Sequence, residues 1–386
     1  MLAGIDEDLM PGLDAISDLL AGGKRLRPAF CYWGWRAAGG PGPGGPAGPA
    51  GPAGPAGPAG PAGPAGPGDR AAPGGRAARG DRAGRGHILT AAAALELLHA
   101  SALVHDDVMD RSDVRRGRPT VHRRFAAHHD AAGWRGPADA FGTGAAILLG
   151  DLLLGWTGEL LRASGLPAAA LRRGQPVLDA MRTEMIAGQY LDLLGQAAGA
   201  GTGTVANALR VVRYKSAKYT VERPLLLGAA LAPAPARTVA GAAGKAAITE
   251  HRMAAACSAY GIPLGVAFQL RDDVLGVFGD AAETGKPVTG DLREGKRTVM
   301  VAIAGDRANP AQASVLRRHL GHPELDEAAA AEVRAVLTET GALAECEQMI
   351  SDSVREALAA LADAPFTDEA KAALAELAVT ATDRTD

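Results

Sequence analysis

Apolar residues recur along this chain at three- and four-residue intervals, the spacing that puts them on one face of an α-helix. Leu9, Leu13, Ile16, Leu19 and Leu20 predict a short first helix, ended by Gly22-Gly23. Helical pattern resumes at His87 and runs to the C-terminus with short breaks. Residues 140–161 predict an apolar helix containing Gly150-Asp151, and residues 176–194 put Glu184, Gln189 and Asp192 on one face. Residues 207–231 carry Lys215, Ser216, Lys218 and Tyr219, with Pro224 expected to kink or divide the helix. Residues 260–270 are another apolar run, and residues 327–379 read as two outer amphipathic helices broken near Ala364-Pro365. Strands nowhere alternate with helices, so the expected fold class is all-α.

One stretch has no such pattern. Twenty-three of the thirty residues 39–68 are Gly or Pro, and Gly-Pro-Ala repeats in register from Gly45 to Ala65. Residues 69–86 add five arginines against two aspartates. Glycine at every third position is the collagen pattern, but seven triplets with no flanking trimerisation helices favour a disordered, partly polyproline II insertion. The expected organisation is a single domain over 1–386, interrupted by a low-complexity loop at 39–86.

Composition sharpens this only a little. Of the 386 residues 47% are hydrophobic, enough for a core, and the net charge of −3 gives no reason to expect nucleic acid. Cys31, Cys257 and Cys346 are widely spaced without a CxxC pair and read as reduced thiols of a cytoplasmic protein. No apolar run reaches the ~18 residues of a membrane span without a charge or turn residue, so no membrane span is expected.

The chemistry concentrates in residues 95–122, LELLHASALVHDDVMDRSDVRRGRPTVH. Asp110 lies one helical turn from Asp106 and Asp107, so the three carboxylates share a side. Like charges this close repel unless a cation neutralises them, and hard divalent cations prefer oxygen ligands. Arg115 and Arg116 follow, suited to the far side of a multi-anionic ligand such as a diphosphate. A second acidic pair, Asp272-Asp273, ends another apolar helix. Charge that interrupts two buried-looking helices points to facing walls of one cavity. Lys24, Arg25 and Arg27 beside Gly22-Gly23 make a further anion site. A solvated acidic face is the bland alternative for either cluster, and a basic helix start is the alternative for the last.

Other motifs fail. Gly290 to Lys296 fits GxxxxGK, but Arg297 stands at the Ser/Thr position and no strand precedes it. His105-Asp106 lacks the further ligands of a metal-dependent phosphohydrolase, and HExxH and GxSxG are absent.

The residues do resemble one family. HDDVMDRSDVRRGRP resembles the first aspartate-rich motif of the trans-isoprenyl diphosphate synthases, and QLRDDVLGVFGD the second. GGKRLRP resembles their isopentenyl diphosphate anchor, and TGKP with DLREGKRT their closing loop. The resemblance implies an all-helical isoprenoid-synthase bundle around a central cavity, usually a homodimer. It also implies a magnesium-dependent head-to-tail condensation of isopentenyl diphosphate with an allylic diphosphate. By position, Asp106 and Asp110 would be the main magnesium ligands of the first helix with Asp107 in support. Asp272, supported by Asp273, would hold the third ion. Lys24, Arg27, His99 and Arg116 would bind isopentenyl diphosphate. Arg115, Lys215 and Lys286 would grip the allylic diphosphate, with Lys296 closing over it. Ser216 and Gln269 fall near the reacting carbons. The chain departs from the pattern at Gly276, where an aspartate often stands.

Ser101 and Ala102 lie one turn before Asp106, toward the growing tail, with Leu98 a turn deeper. Both are small where fifteen-carbon synthases tend to carry an aromatic, so geranylgeranyl diphosphate is the expected product and longer polyprenyl chains the nearest variant. A terpene cyclase, a non-catalytic partner subunit and a protein displayed through its repeat remain alternatives. Ala102→Phe is expected to shorten the product on chromatographic sizing, and unchanged chain length would reject Ala102 as a floor residue.

Overall fold

The computed structural model describes residues 5–40, 74–197, 203–233, 242–279 and 289–382. Residues 41–73, which include the whole Gly-Pro-Ala run, and Lys286 lie outside them. The described residues form helices with a single two-stranded antiparallel turn, so the architecture is all-α as expected.

Two long helices organise the fold. Helix α3 spans Gly74–Met109 and helix α9 spans Ala242–Phe278, and each carries an acidic cluster at its C-terminal end. Helix α3 starts well before His87. Arg and Ala fill residues 76–79, and their high helix propensity extends the helix without amphipathic periodicity. Helix α1 (Met10–Ala21) leads to α2 (Leu26–Ala37) through Gly22-Gly23. After α3 come the short strands β1 (Val114–Arg115) and β2 (Arg118–Pro119), then α4 (Val121–Ala131), α5 (Ala138–Arg162) and α6 (Ala168–Ala197). The hairpin eluded the helical pattern because each strand is two residues long.

Helix α7 (Val205–Val211) runs directly into a π-helix, Val212–Glu222, and then into α8 (Arg223–Leu231). Pro224 sits in the first turn of α8, where its missing N–H costs nothing, so it divides the segment. The π-helix is broader than an α-helix, and glycines on its neighbours make room. A Cβ on Gly188 of α6 would lie 2.4 Å from the Lys215 nitrogen. One on Gly265 of α9 would lie 2.5 Å from Ala217 Cα. The C-terminal part contains α10 (Gly290–Glu294), α11 (Val299–Arg307), α12 (Pro310–His319), α13 (Glu327–Glu339), α14 (Ala342–Asp363) and α15 (Asp368–Thr382). The sequence pattern joined α13 and α14 into one helix. Gly341, with φ of 73°, breaks them by adopting the left-handed region.

Three helical stretches, Gly84–Met109, Ala138–Arg162 and Thr249–Phe278, are long and apolar enough to cross a membrane. They qualify by length and composition only, and each is interrupted by charge, as the sequence pattern showed. Isolated charges such as Glu96 and Asp151 do not lower the mean hydropathy enough to disqualify them. Within the fold, buried residues of these helices, among them Leu95, Leu98, Leu153, Leu161 and Leu264, pack into the core.

Helices α2 and α8 cross at near backbone contact. A Cβ on Gly34 would lie 2.2 Å from the Leu225 carbonyl oxygen, and one on Gly228 would lie 1.8 Å from that of Cys31. Gly228→Ala is therefore expected to destabilise the protein by roughly 1–3 kcal/mol in denaturant melts. Gly305→Ala, in a helix with open space around the position, is expected to be neutral or to gain up to about 1 kcal/mol.

Candidate active site

A cavity of about 1660 Å³ lies between the ends of α3 and α9, lined by both acidic clusters, the α1–α2 loop, the π-helix and α10. Every site residue expected from the sequence lines it except Leu98 and Asp107, with Lys286 outside the described residues. Leu98 is fully buried in the core instead.

Asp107 is 2% exposed. Arg115 turns back from β1 and forks onto it, with Nε 2.9 and 2.8 Å from the two carboxylate oxygens and Nη2 2.6 Å from Oδ1. Asp106 and Asp110 line the cavity. The Asp110 side chain is 2% exposed, and its Oδ2 lies 3.7 Å from Lys296 Nζ. Burial, with Asp106 adding repulsion, pushes Asp110 up to about 7. Lys215, on the π-helix, bridges Asp192 (2.6 Å) and Asp106 (3.3 Å). Burial opposes its charge, but Asp106 and Asp192 outweigh this and raise its proton affinity.

On α9, Asp272 is exposed and Asp273 buried. Gln269 Nε2 donates to Asp273 Oδ1 at 2.7 Å. Burial nevertheless pushes Asp273 up to about 8. Lys296 follows α10 and contacts Asp291 (2.9 Å) and Glu294 (2.8 Å) as well as approaching Asp110. Burial works against its ammonium charge, yet these carboxylates hold it protonated well above the ordinary lysine range. Glu294 also accepts from Ser112 Oγ at 2.9 Å, joining the segment around α10 to the turn after α3. Among the described residues, no three acidic, histidine or cysteine side chains already converge on a common ion position. The lysine ammonium groups stand between carboxylates there.

The other end of the cavity is basic. Arg27 donates to Thr220 Oγ1 at 3.0 Å and stacks 4.3 Å from the Tyr219 ring centre. The Tyr219 hydroxyl lies 3.4 Å from His99 Nδ1. Burial, reinforced by Arg27, Arg115, Arg116 and Arg25, holds His99 well below the usual histidine range and therefore neutral. Arg25 pairs with Glu96, Arg116 reaches the Leu19 carbonyl at 3.4 Å, and Lys24 is exposed. Arg25, Arg111 and Arg116 adopt φ values of 53°, 54° and 52°, and all three line the cavity. Left-handed backbone at non-glycine residues costs roughly 1–3 kcal/mol each and clusters at functional sites.

Ser101 and Ala102 line the apolar part with Leu154 of α5 and Met185 of α6. Sequence reasoning missed Leu154, Met185, Asp192, Asp291 and Glu294. Only the helical face holding Asp192 and the acid spacing in GDLREGK hinted at any of them.

A match to the family described as Polyprenyl synthetase covers residues 76–337. The chain is 32% identical over 276 residues to the geranylfarnesyl diphosphate synthase of Aeropyrum pernix, covering 71% of this chain and 75% of that one. It is 31% identical over 269 residues to the geranylgeranyl diphosphate synthase of Mycobacterium tuberculosis, covering 70% and 67%. The crystal structure of geranylgeranyl pyrophosphate synthase from Corynebacterium glutamicum, complexed with isoprenyl diphosphate and magnesium, superposes with a TM-score of 0.80. That match has 35% identity and covers 99% of this chain and 93% of the other. Fold and relatives together define a trans-prenyltransferase, as the motifs implied. The chain belongs to the polyprenyl synthetase family.

Asp110 gives a pH test. A carboxyl that folding raises from 3.8 to about 7 stabilises the fold fully below 3.8, and that stability is lost as pH rises toward 7. Asp110→Asn is expected to stabilise the metal-free protein increasingly over this window, by at most about 4 kcal/mol. Denaturant melts in chelator at several pH values check it; a pH-independent difference would contradict the burial argument.

Proposed function

We propose that the enzyme condenses isopentenyl diphosphate with an allylic diphosphate, head to tail, to give geranylgeranyl diphosphate. One observation carries the reading: acidic clusters on two separate helices line the same cavity, whose far end is basic. The donor set fits magnesium. Asp110 Oδ1 is buried without a hydrogen-bond partner among the described residues, and the surrounding ligands are carboxylate oxygens. Asp106 and Asp110 on one side and Asp272, supported by Asp273, on the other would hold the ions, three per site as the resemblance implies. Bound there, magnesium supplies Lewis-acid stabilisation of the charge that develops on the departing diphosphate.

The chain's own groups do the rest. Lys215 and Lys296, held protonated by their carboxylate neighbours, present fixed positive charge to the allylic diphosphate, with Lys286 a further candidate. Arg115 is oriented by its fork on Asp107. Lys24, Arg27 and Arg116 bind the diphosphate of isopentenyl diphosphate beside the neutral His99. Ser216 and Gln269, which line the same cavity, face the reacting carbons. Allylic C–O cleavage leaves a cation, the isopentenyl double bond attacks it, and the released diphosphate takes the proton that is lost. Ala102, Leu154 and Met185 keep water from the cation, and the small Ser101 and Ala102 leave room for a twenty-carbon tail.

The working unit is a homodimer. Ile186, Tyr190 and Leu194 repeat every four residues on α6 and are exposed, and Leu148 on α5 is 70% exposed. A second copy of the chain is the occupant proposed for these exposed apolar residues, of which Ile186 and Tyr190 also line the rim of the cavity. All three cysteines are free and buried, which suits the reducing cytoplasm.

The test is to incubate the protein with magnesium, radiolabelled isopentenyl diphosphate and dimethylallyl, geranyl or farnesyl diphosphate. A twenty-carbon product is expected from a particle of two chains, with turnover roughly 10²–10³-fold lower in Asp106→Asn. No incorporation from any starter would end the proposal.

A further inference from the structure

Gly276 breaks the second acidic cluster, since it stands one helical turn after Asp272 and Asp273, on their side of α9. The structure shows what fills the place. A Cβ built on Gly276 would lie 2.0 Å from Oδ2 of Asp291 and 3.0 Å from its Cγ. A carboxylate carried on α10 thus occupies the volume that a side chain at 276 would take. Its other oxygen accepts from Lys296 Nζ at 2.9 Å, and that same ammonium group lies 3.7 Å from Asp110 Oδ2. Asp291 therefore faces the first cluster across the cavity, and it lines the cavity together with Asp272 and Asp273.

We infer that Asp291 is the third carboxylate of the second metal-binding wall, replacing in space the aspartate missing at Gly276. The inference rests on the magnesium-dependent reading above. Small residue and displaced acid form one unit: a side chain at 276 would force the Asp291 carboxylate to shift from its present place. Because Asp291 comes from α10 and not from α9, the second wall is complete only when α10 is docked against α9.

The test counts metal ions and does not depend on turnover. Manganese binding in the presence of inorganic pyrophosphate is followed by electron paramagnetic resonance, and pyrophosphate affinity by calorimetry. Asp291→Ala is expected to bind one manganese fewer than wild type and pyrophosphate about 10–100-fold more weakly. Gly276→Ala, which adds no charge but displaces the Asp291 carboxylate, should do the same. The exchange variant Gly276→Asp/Asp291→Ala should recover the lost ion. Asp291→Asn, nearly isosteric, replaces Asp291→Ala if thermal melting shows the latter to be unfolded. A residue that merely anchors Lys296 would lower pyrophosphate affinity without changing the manganese count, and that result overturns the inference. Asp106→Ala separates the two levels. If it loses metal while Asp291→Ala does not, only Asp291 is misassigned; if it too keeps every ion, the metal reading itself fails.

Discussion

Carboxylates that cannot stay close without cations between them are the constraint on which this molecule rests. Asp106 and Asp110 stand on one side of the cavity, with Asp272, Asp273 and Asp291 on the other. Burial raises the proton affinities of Asp110 and Asp273, and repulsion from neighbouring carboxylates adds to the effect. The fold answers in two ways. Asp107 is neutralised permanently by Arg115 and removed from the cavity. Lys215 pairs with Asp106, and Lys296 pairs with Asp291 and approaches Asp110, so these acids carry ammonium counter-charges. A site of this kind has a standing demand for positive charge.

The helices exist to hold those charges in place. α3 and α9 are long because each must span the core and still deliver its acids to the same cavity. The π-helix between them turns Lys215, Ser216, Tyr219 and Thr220 inward, so that one segment serves both the acidic and the basic end. Neutral His99 lies beside Arg27 and Tyr219 at the basic end of the cavity.

Much of this was legible in the sequence, for identifiable reasons. Apolar periodicity gives helices, and acids spaced at three and four residues must share a face whatever the surroundings. The all-α class and the paired acidic clusters followed from those two facts. What stayed hidden depends on chain segments meeting in space. That Asp107 is spent on Arg115 follows from a tight hairpin with left-handed arginines, a geometry the residue types do not announce. Asp192 and Glu294 acquire meaning only beside Lys215 and Lys296. Helix boundaries slipped where propensity without periodicity lengthened α3, and where Gly341 made two helices of one.

The glycines that flank the π-helix have a consequence for substitution. Gly188 and Gly265 bring α6 and α9 against its backbone, so a larger residue on either flank would collide with the main chain at Lys215 or at Ala217. The backbone around Lys215 therefore tolerates little change of volume. Ala102, Leu154 and Met185 line the apolar part of the cavity. There a change of side-chain volume alters the room for a tail and leaves the charges untouched. Side-chain volume at that end can therefore vary without disturbing the ion pairs around Lys215.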